Sequence, residues 1–555
     1  MNIMNTSNPV HPLKSQAKVL LSSVFGPYAQ DDEYGSRKIN PMELYHNQVT
    51  RVQGPFSLRL FHRSFGLMLL QANIDAPCTL LDFPTLDRFT NEIQSHSYDI
   101  VGISSIIPNI GKAKKMCEVI RKYLPKATIV VGGHIASIPN IHNIIDADYI
   151  VKGEGVSWFR RFLGQDENVP VRHPIVLSAF GGRIFGITLS KRNTAAILMP
   201  SVGCPVGCNF CSTSALFGGK GKFINFYETG DSLFSIMCQI EKELKSRSFF
   251  ILDENFLLHH KRALRLLELM EQHNKSWSLF VFSSVKALKF YTVKQLVGLG
   301  ISWVWIGLEG ENSQYAKLKG IDTHSFVRDM QSHGIRVMGS TIIGLENHTT
   351  ENIDQIIDWA VSHDTDFHQF MLYIPAPGTP LYEQLLKEGS LLSEEECPTA
   401  DRHGQYRFNY RHKHIYNGQE TEFLLRAFRQ DFEINGPSIA RMIRTMLIGW
   451  KRYKNHPDPR IRNRFEWEIK KSIDYYTGAV WAIKKWYRKD ELMSKKIISL
   501  LQDLYKEFGW KTRIMASLLG RGLYFAMKRE AKKLANGQVY EPSTFYEKNA
   551  KALKE

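Results

Sequence analysis

Cysteine is scarce in this sequence, and long apolar runs are missing. Seven of 555 residues are cysteine, and four of them, Cys78, Cys117, Cys238 and Cys397, stand apart with no C-x2-C pair among them. That pattern excludes a disulfide framework and suits a reducing compartment. Cys78, just before a predicted strand, and Cys117, on a predicted helix, read as small buried hydrophobes. No stretch of about 18 apolar residues is present, so no membrane-spanning helix is expected. The opening, MNIMNTSNPVHPLKSQAK, lacks the apolar core of a signal peptide. The expected location is the cytoplasm. Recognition motifs for nucleic acid are absent too. Material for a folded core is not short: 43% hydrophobic and 23% charged residues describe a globular chain, and its length predicts two or three domains.

The remaining three cysteines sit together in Cys204-Pro205-Val206-Gly207-Cys208-Asn209-Phe210-Cys211, spaced C-x3-C-x2-C. Three thiolates this close suit an iron–sulfur cluster, holding three irons of a cubane and leaving the fourth open to react. The competing reading is a zinc knot. Structural zinc needs a fourth ligand and favours paired C-x2-C spacings, and no His or Cys stands close behind Cys211. With the other four cysteines scattered, a second cluster is not expected.

This stretch resembles the signature of the radical S-adenosylmethionine (SAM) superfamily, down to the aromatic Phe210 before the last cysteine. The resemblance implies a [4Fe-4S] cluster on Cys204, Cys208 and Cys211, with SAM chelating the open iron through its amino and carboxylate groups. It also implies reductive cleavage of SAM to a 5′-deoxyadenosyl radical, fed by an electron donor such as flavodoxin or ferredoxin.

Before the cysteine loop, short apolar runs alternate with helical patterns. Strands are predicted at 18–25, 79–83, 98–104, 128–132 and 149–152, and helices at 57–73, 86–95 and 112–124. Alternation of this length predicts a doubly wound parallel α/β sheet, whose ligands lie beyond the carboxyl ends of the strands. Three loops fall there: Ser104-Ser105-Ile106-Ile107-Pro108-Asn109, Gly132-Gly133-His134 and Gly153-Glu154-Gly155. Paired glycines let backbone approach a ligand closely. The order and spacing of these loops resemble the flavodoxin-like (Rossmann-type) cobalamin-binding domain that precedes many radical SAM cores. The resemblance implies cobalamin contacts from Ser104, Ser105, Asn109, Gly132, Gly133, His134, Gly153, Glu154 and Gly155. The D-x-H-x-x-G motif that supplies a histidine ligand to cobalt is absent. The loop 104–109 would then lie under the corrin, and His134 is read as a loop residue near the nucleotide tail.

After the cysteine loop, further strands resemble in order the partial (β/α)6 barrel of the superfamily. The strand 249–252 ends at Asp253 and Glu254, read as the acidic pair that meets the SAM amino group, with Asp253 preferred because it ends the strand. Ser283 ends the next strand. The strand 303–308 leads to Glu309, whose carboxylate suits the two ribose hydroxyls, and Lys317 and Lys319 match the helix that follows. GSTIIGLE (339–346), containing Gly344, resembles the strand that packs on adenine. FMLYIPAPGTPLY (370–382) matches a Pro-rich closing strand.

Residues 401–419 are read as a polar linker whose His403, His412 and His414 belong to a solvated loop. Beyond it, helices are predicted at 420–435, 439–454, 464–489, 492–508 and 512–534. From Pro437 onward there are 27 Lys and Arg against 12 Asp and Glu, which holds nearly all of the chain's net charge of +16. A surface so basic suits an anionic or amphipathic small-molecule substrate or peripheral membrane contact. The alternative is a plain helical cap with a lysine-rich outer face.

The expected organisation is a cobalamin-binding-like α/β domain (1–180), a radical SAM core (190–395) and a basic, mainly helical region (400–555). The expected activity is methyl transfer from methylcobalamin to an unactivated carbon. Two rivals stand beside it: a cobalamin-dependent oxidative cyclase or rearrangement enzyme, and a non-catalytic iron–sulfur redox protein.

Overall fold

In the computed structural model, residues 9–26, 33–35, 48–178, 180–188, 195–310, 320–538, 540 and 543–553 are described. Lys317 and Lys319 lie outside them.

The first six strands are β1 (Val19–Ser23), β2 (Arg59–Phe61), β3 (Cys78–Asp82), β4 (Ile100–Ser104), β5 (Thr128–Gly132) and β6 (Tyr149–Val151). All but β2 form one parallel sheet in the order β3-β1-β4-β5-β6. Taken in chain order this is 2-1-3-4-5, the flavodoxin-like arrangement, with its switch point between β1 and β4. Strands β1 and β3 are buried along their whole length, as expected where helices cover both faces of a parallel sheet. Cys78 and Cys117 are fully buried.

A small antiparallel sheet joins β2 to β7 (Phe180–Ile184) and β8 (Ile187–Thr188). The helix expected from residue 57 therefore begins only at Phe65 and runs to Asn73. Its predicted first part is β2, whose partner lies more than a hundred residues downstream.

The second large sheet is assembled from β9 (Ala196–Leu198), β12 (Ser248–Ile251), β13 (Ser278–Ser283), β14 (Ile301–Glu309), β15 (Arg336–Ile343) and β16 (Phe367–Leu372). A short hairpin of β10 (Ser201–Val202) and β11 (Ile224–Asn225) follows β9. All six long strands are parallel and lie in chain order. Helices such as Gly230–Leu244 and His260–Gln272 return the chain outside the sheet, giving an open (β/α)6 barrel. The strands alternate strictly. Leu279, Val281, Val304 and Ile306 are fully buried against the outer helices. Phe280, Phe282, Trp303 and Trp305 point the other way and line the barrel interior.

The C-terminal helices Ser438–Tyr453, Pro459–Ile469, Ile473–Trp486 and Glu491–Ala535 share one apolar core with the outside of the barrel. The single helix expected at 464–489 is two, separated by a 3-10 turn at Lys470–Ser472. The helices expected at 492–508 and 512–534 run together, broken only at Gly509, which adopts φ 80°. A final strand, β17 (Phe545–Lys548), absent from the sequence reading, pairs antiparallel with β3 on the first sheet. No described helix is long and apolar enough to cross a membrane.

Candidate functional site

The carboxyl ends of β4, β5 and β6 and the interior of the barrel open into one cavity of about 2140 Å³. A typical small-molecule site occupies about 300–1,000 Å³, so this one has room for several ligands side by side.

All nine residues expected at the corrin side line this cavity: Ser104, Ser105, Asn109, Gly132, Gly133, His134, Gly153, Glu154 and Gly155. The wall they make is mostly backbone. Gly133 adopts φ +85°, and a Cβ there would fall 2.6 Å from the Ser105 carbonyl oxygen and 3.1 Å from Ser104 Oγ. Only glycine lets the β5 turn lie this close to the β4 loop. The Ser105 N–H donates to the Gly132 carbonyl at 3.1 Å, fixing the two loops together. His134 opens a 3-10 turn, and burial lowers its pKa, so it stands neutral. Glu154 differs from expectation in what its carboxylate does. It accepts the Val156 and Ser157 N–H groups and caps the helix Gly155–Phe162.

Cys204, Cys208 and Cys211 follow β10 on a loop that glycine makes possible. Gly207 adopts φ +66°, and a Cβ there would meet Lys220 Cα at 2.5 Å. The Cys211 N–H donates to the Cys208 carbonyl at 3.0 Å, and Ser214 donates through its N–H to Cys211 Sγ at 3.5 Å and through Oγ to the Cys204 carbonyl at 2.8 Å. None of the three is in a disulfide. Burial raises the Cys204 thiol pKa, and the neighbouring Cys211, Cys208 and Glu254 raise it further, which marks these four groups as near neighbours. Among the described residues no three His, Cys, Asp or Glu side chains converge as ligands on one metal ion. A cubane does not require that, because each thiolate binds a different iron. The donor set is three clustered thiols at the edge of a large cavity. It fits a [4Fe-4S] cluster and lacks the converging fourth ligand of a zinc knot.

Of the six residues expected at SAM, Phe210, Glu254 and Glu309 line the cavity, and Asp253, Ser283 and Gly344 do not. Of the acidic pair, Glu254 faces the cavity and Asp253 does not. Asp253 is 2% exposed and committed to Arg262 at 2.7 Å, to Ser201 Oγ and to the Asn255 N–H. Glu254 Oε2 is buried without a hydrogen-bond partner, and burial pushes the Glu254 carboxyl up to about 7. A buried orphan oxygen beside the thiols is what an incoming ammonium would satisfy. Glu309 adopts φ +59° at a register shift between β14 and β15, a strained, bulged position of the kind that re-aims a side chain at a site. Ser283 donates to Asn255 Oδ1 at 3.1 Å inside the wall. Gly344 is covered by Phe408, whose ring would lie 2.3 Å from an added Cβ. The part of that strand facing the cavity is Ser340, Thr341 and Ile342 instead.

Two features escape the sequence reading. One is an aromatic wall inside the barrel, where Phe280, Phe282, Trp303 and Trp305 stack and Phe250 packs tilted against both Phe280 and Phe282, with ring centroids 4.9–5.9 Å apart. The alternation FVF and WVW in the sequence was its available signal. The other is the segment taken for a solvated linker. Phe408, Tyr410 and Ile415 are core residues, His412 is buried, and His403 lines the cavity with Nε2 buried and unpartnered. Only His414 is exposed as expected. His403 Nδ1 accepts the Gln405 N–H at 3.3 Å, so the neutral ring carries its proton on Nε2.

Residues 62–163 match the B12 binding domain family. That match falls on the first parallel sheet and the loops at its carboxyl ends, upstream of the cysteine loop at the head of the open (β/α)6 barrel. Its curated relatives include an uncharacterised methyltransferase of Pyrococcus horikoshii, 26% identical over 65% of this chain and 87% of the relative. Bacteriochlorophyllide d C-8(2)-methyltransferase of Chlorobaculum tepidum is 25% identical over 60% of this chain and 78% of its own length. A solved structure of the radical SAM methyltransferase TsrM of Kitasatospora setae, with cobalamin and a [4Fe-4S] cluster bound, aligns with 82% of this chain and all of that one at a TM-score of 0.47 and 15% identity.

Proposed function

We propose that the protein is a cobalamin-dependent radical SAM methyltransferase, with residues 1–180, 190–395 and 400–555 serving as corrin domain, radical core and basic helical region. One observation carries this reading: a single cavity joins the corrin-side loops, the cysteine loop and the barrel interior. Bound there, a [4Fe-4S] cluster, SAM and cobalamin supply reductive cleavage of SAM and a methyl group for an unactivated carbon.

The chain's own residues position and shield. Cys204, Cys208 and Cys211 hold the cluster. Glu254, ionised, takes the ammonium of SAM, and Glu309 takes its ribose hydroxyls. Phe210, set edge-on against Tyr373 at 5.9 Å, closes one side. The loops 104–109 and 132–134 cradle the corrin. The aromatic wall excludes water and packs an apolar substrate. At the barrel base Arg336 pairs with Glu468 at 3.3 Å, a polar floor for a substrate with a hydrophilic end. An external one-electron donor of the flavodoxin or ferredoxin kind completes the requirement.

Anaerobically reconstituted protein given SAM, reductant and methylcobalamin should form 5′-deoxyadenosine, and S-adenosylhomocysteine once substrate turns over. Replacing Cys204, Cys208 and Cys211 by Ala should abolish both products and the brown absorbance while cobalamin is retained. Deoxyadenosine without S-adenosylhomocysteine would favour the cyclase or rearrangement chemistry. Neither product from the intact protein would leave a redox protein.

A further inference from the structure

Beyond Gly509 the helix Glu491–Ala535 presents two opposite faces. One is packed: Thr512, Ala516, Gly520 and Met527 are buried, and Gly520 lies so close to the preceding helix that a Cβ would meet Trp481 at 2.5 Å. The other carries Trp510, Ile514, Leu518 and Phe525, which are 68%, 50%, 57% and 70% exposed. At about 100° per residue these four fall within an arc of roughly 80°, the arc that Arg521, Lys528 and Lys532 also occupy, so apolar and basic side chains share one exposed face.

The apolar side chains are set among cations. Lys511, Arg513, Arg521, Lys528, Arg529 and Lys532 are exposed, and no ion pair with an acidic side chain is formed by any of them among the described residues. Glu530 is the one acidic residue between 510 and 535. Its carboxylate is buried, bound by Tyr540 at 2.7 Å and Arg59 at 3.4 Å, so it offsets nothing outside.

We propose that this face is a docking surface for an anionic lipid membrane, on which the helix lies flat. Apolar side chains led by a Trp, interleaved with Lys and Arg that form no ion pair with an acid, match an interface with a hydrocarbon edge beneath a negative surface. The charge pattern disfavours the other occupants. A second copy would set cations against cations, and a nucleic acid would leave four large apolar side chains uncovered. The cavity reaches the surface on the same pair of helices, at Leu523 and at Tyr475, which is 65% exposed. The docking does not depend on the enzymatic reading above.

The test uses full-length protein loaded with cluster and cobalamin, sedimented with phosphatidylcholine vesicles with and without about one third phosphatidylglycerol. Binding to the anionic vesicles should exceed binding to neutral ones by about tenfold or more and weaken with salt. Trp510→Ser with Phe525→Ser, and separately Arg521→Glu with Lys528→Glu, should each lower it about tenfold while cofactor content stays unchanged. Equal binding to both vesicle types, no binding, or dimerisation lost in the Trp510→Ser, Phe525→Ser variant would overturn the proposal. So would binding to a DNA duplex in preference to anionic vesicles. Loss of enzymatic activity with vesicle binding intact would count against the function proposed above and leave docking standing.

Discussion

The two walls of the cavity are built on different principles. On the corrin side the lining is glycine, serine and main chain, held by turns such as Gly133 against Ser105. On the barrel side it is side chain: five packed aromatic rings, with Glu254 and Glu309 above them. A backbone wall fits one large, invariant ligand by shape. A side-chain wall can be rewritten residue by residue, which suits a partner that differs from enzyme to enzyme. The cofactor half is therefore the half that a family-level comparison finds, and the barrel interior is where specificity is expected.

That contrast can be broken in several places. The largest effect is expected from Arg262→Ala, which leaves the buried Asp253 charged and without its cation, with only Ser201 Oγ and the Asn255 N–H to answer it; losing one partner of a buried pair costs about 3–5 kcal/mol. Chemical denaturation should show it on the barrel, with cobalamin retention spared if the halves are independent. Next, Gly133→Val forces a branched side chain into a left-handed backbone and onto the Ser105 carbonyl, a strain of roughly 1–3 kcal/mol. Cobalamin retention should drop about tenfold while iron content is unchanged; equal loss of both would erase the distinction between the walls. Glu254→Gln should leave the melting temperature alone and weaken SAM binding roughly tenfold, the lower range for a charge-assisted hydrogen bond. The most gradual effect, spread over several pH units, concerns acid. Burial first of all holds His348, His368 and His403 near pKa 4 and His363 near 3. The unfolded chain protonates these below about 6.5 and the folded one does not, so stability falls as pH drops from 6.5 towards 4. The slope is about 1.4 kcal/mol per pH unit for each histidine at most. All four lie in or against the barrel, so its unfolding midpoint should move with pH more than that of the first sheet.

Much of this was readable in the residues, and what was not has identifiable causes. Parallel strands buried on both faces leave unbroken apolar runs, so β1, β3, β4 and β5 stand out in the sequence. β2 does not, because three residues pairing with a strand far downstream leave no local pattern. The cysteine loop and the corrin-side loops are contiguous motifs and were legible. Asp253 and Glu254 could not be ranked, because Arg262, in the first turn of the next helix, reaches back to Asp253 across a short 3-10 turn that leaves no pattern in the sequence. The covering of Gly344 was hidden for a similar reason: Phe408, which lies over it, is some sixty residues away. His403 and His412 sit in a stretch of polar composition whose few aromatic residues nevertheless dive into the core.

The strand β17 bears on the order in which the molecule can be made. Tyr546 pairs with Leu81 and Lys548 with Thr79, so the outer edge of the first sheet is supplied by residues far downstream, beyond the whole barrel. Until they arrive, β3 is an exposed edge offering unpaired main-chain groups to any passing strand. Domains otherwise fold from the N-terminus as they emerge during synthesis. Here the first sheet is completed only by a strand beyond the barrel and the C-terminal helices, so it is not closed as a self-contained unit of sequence.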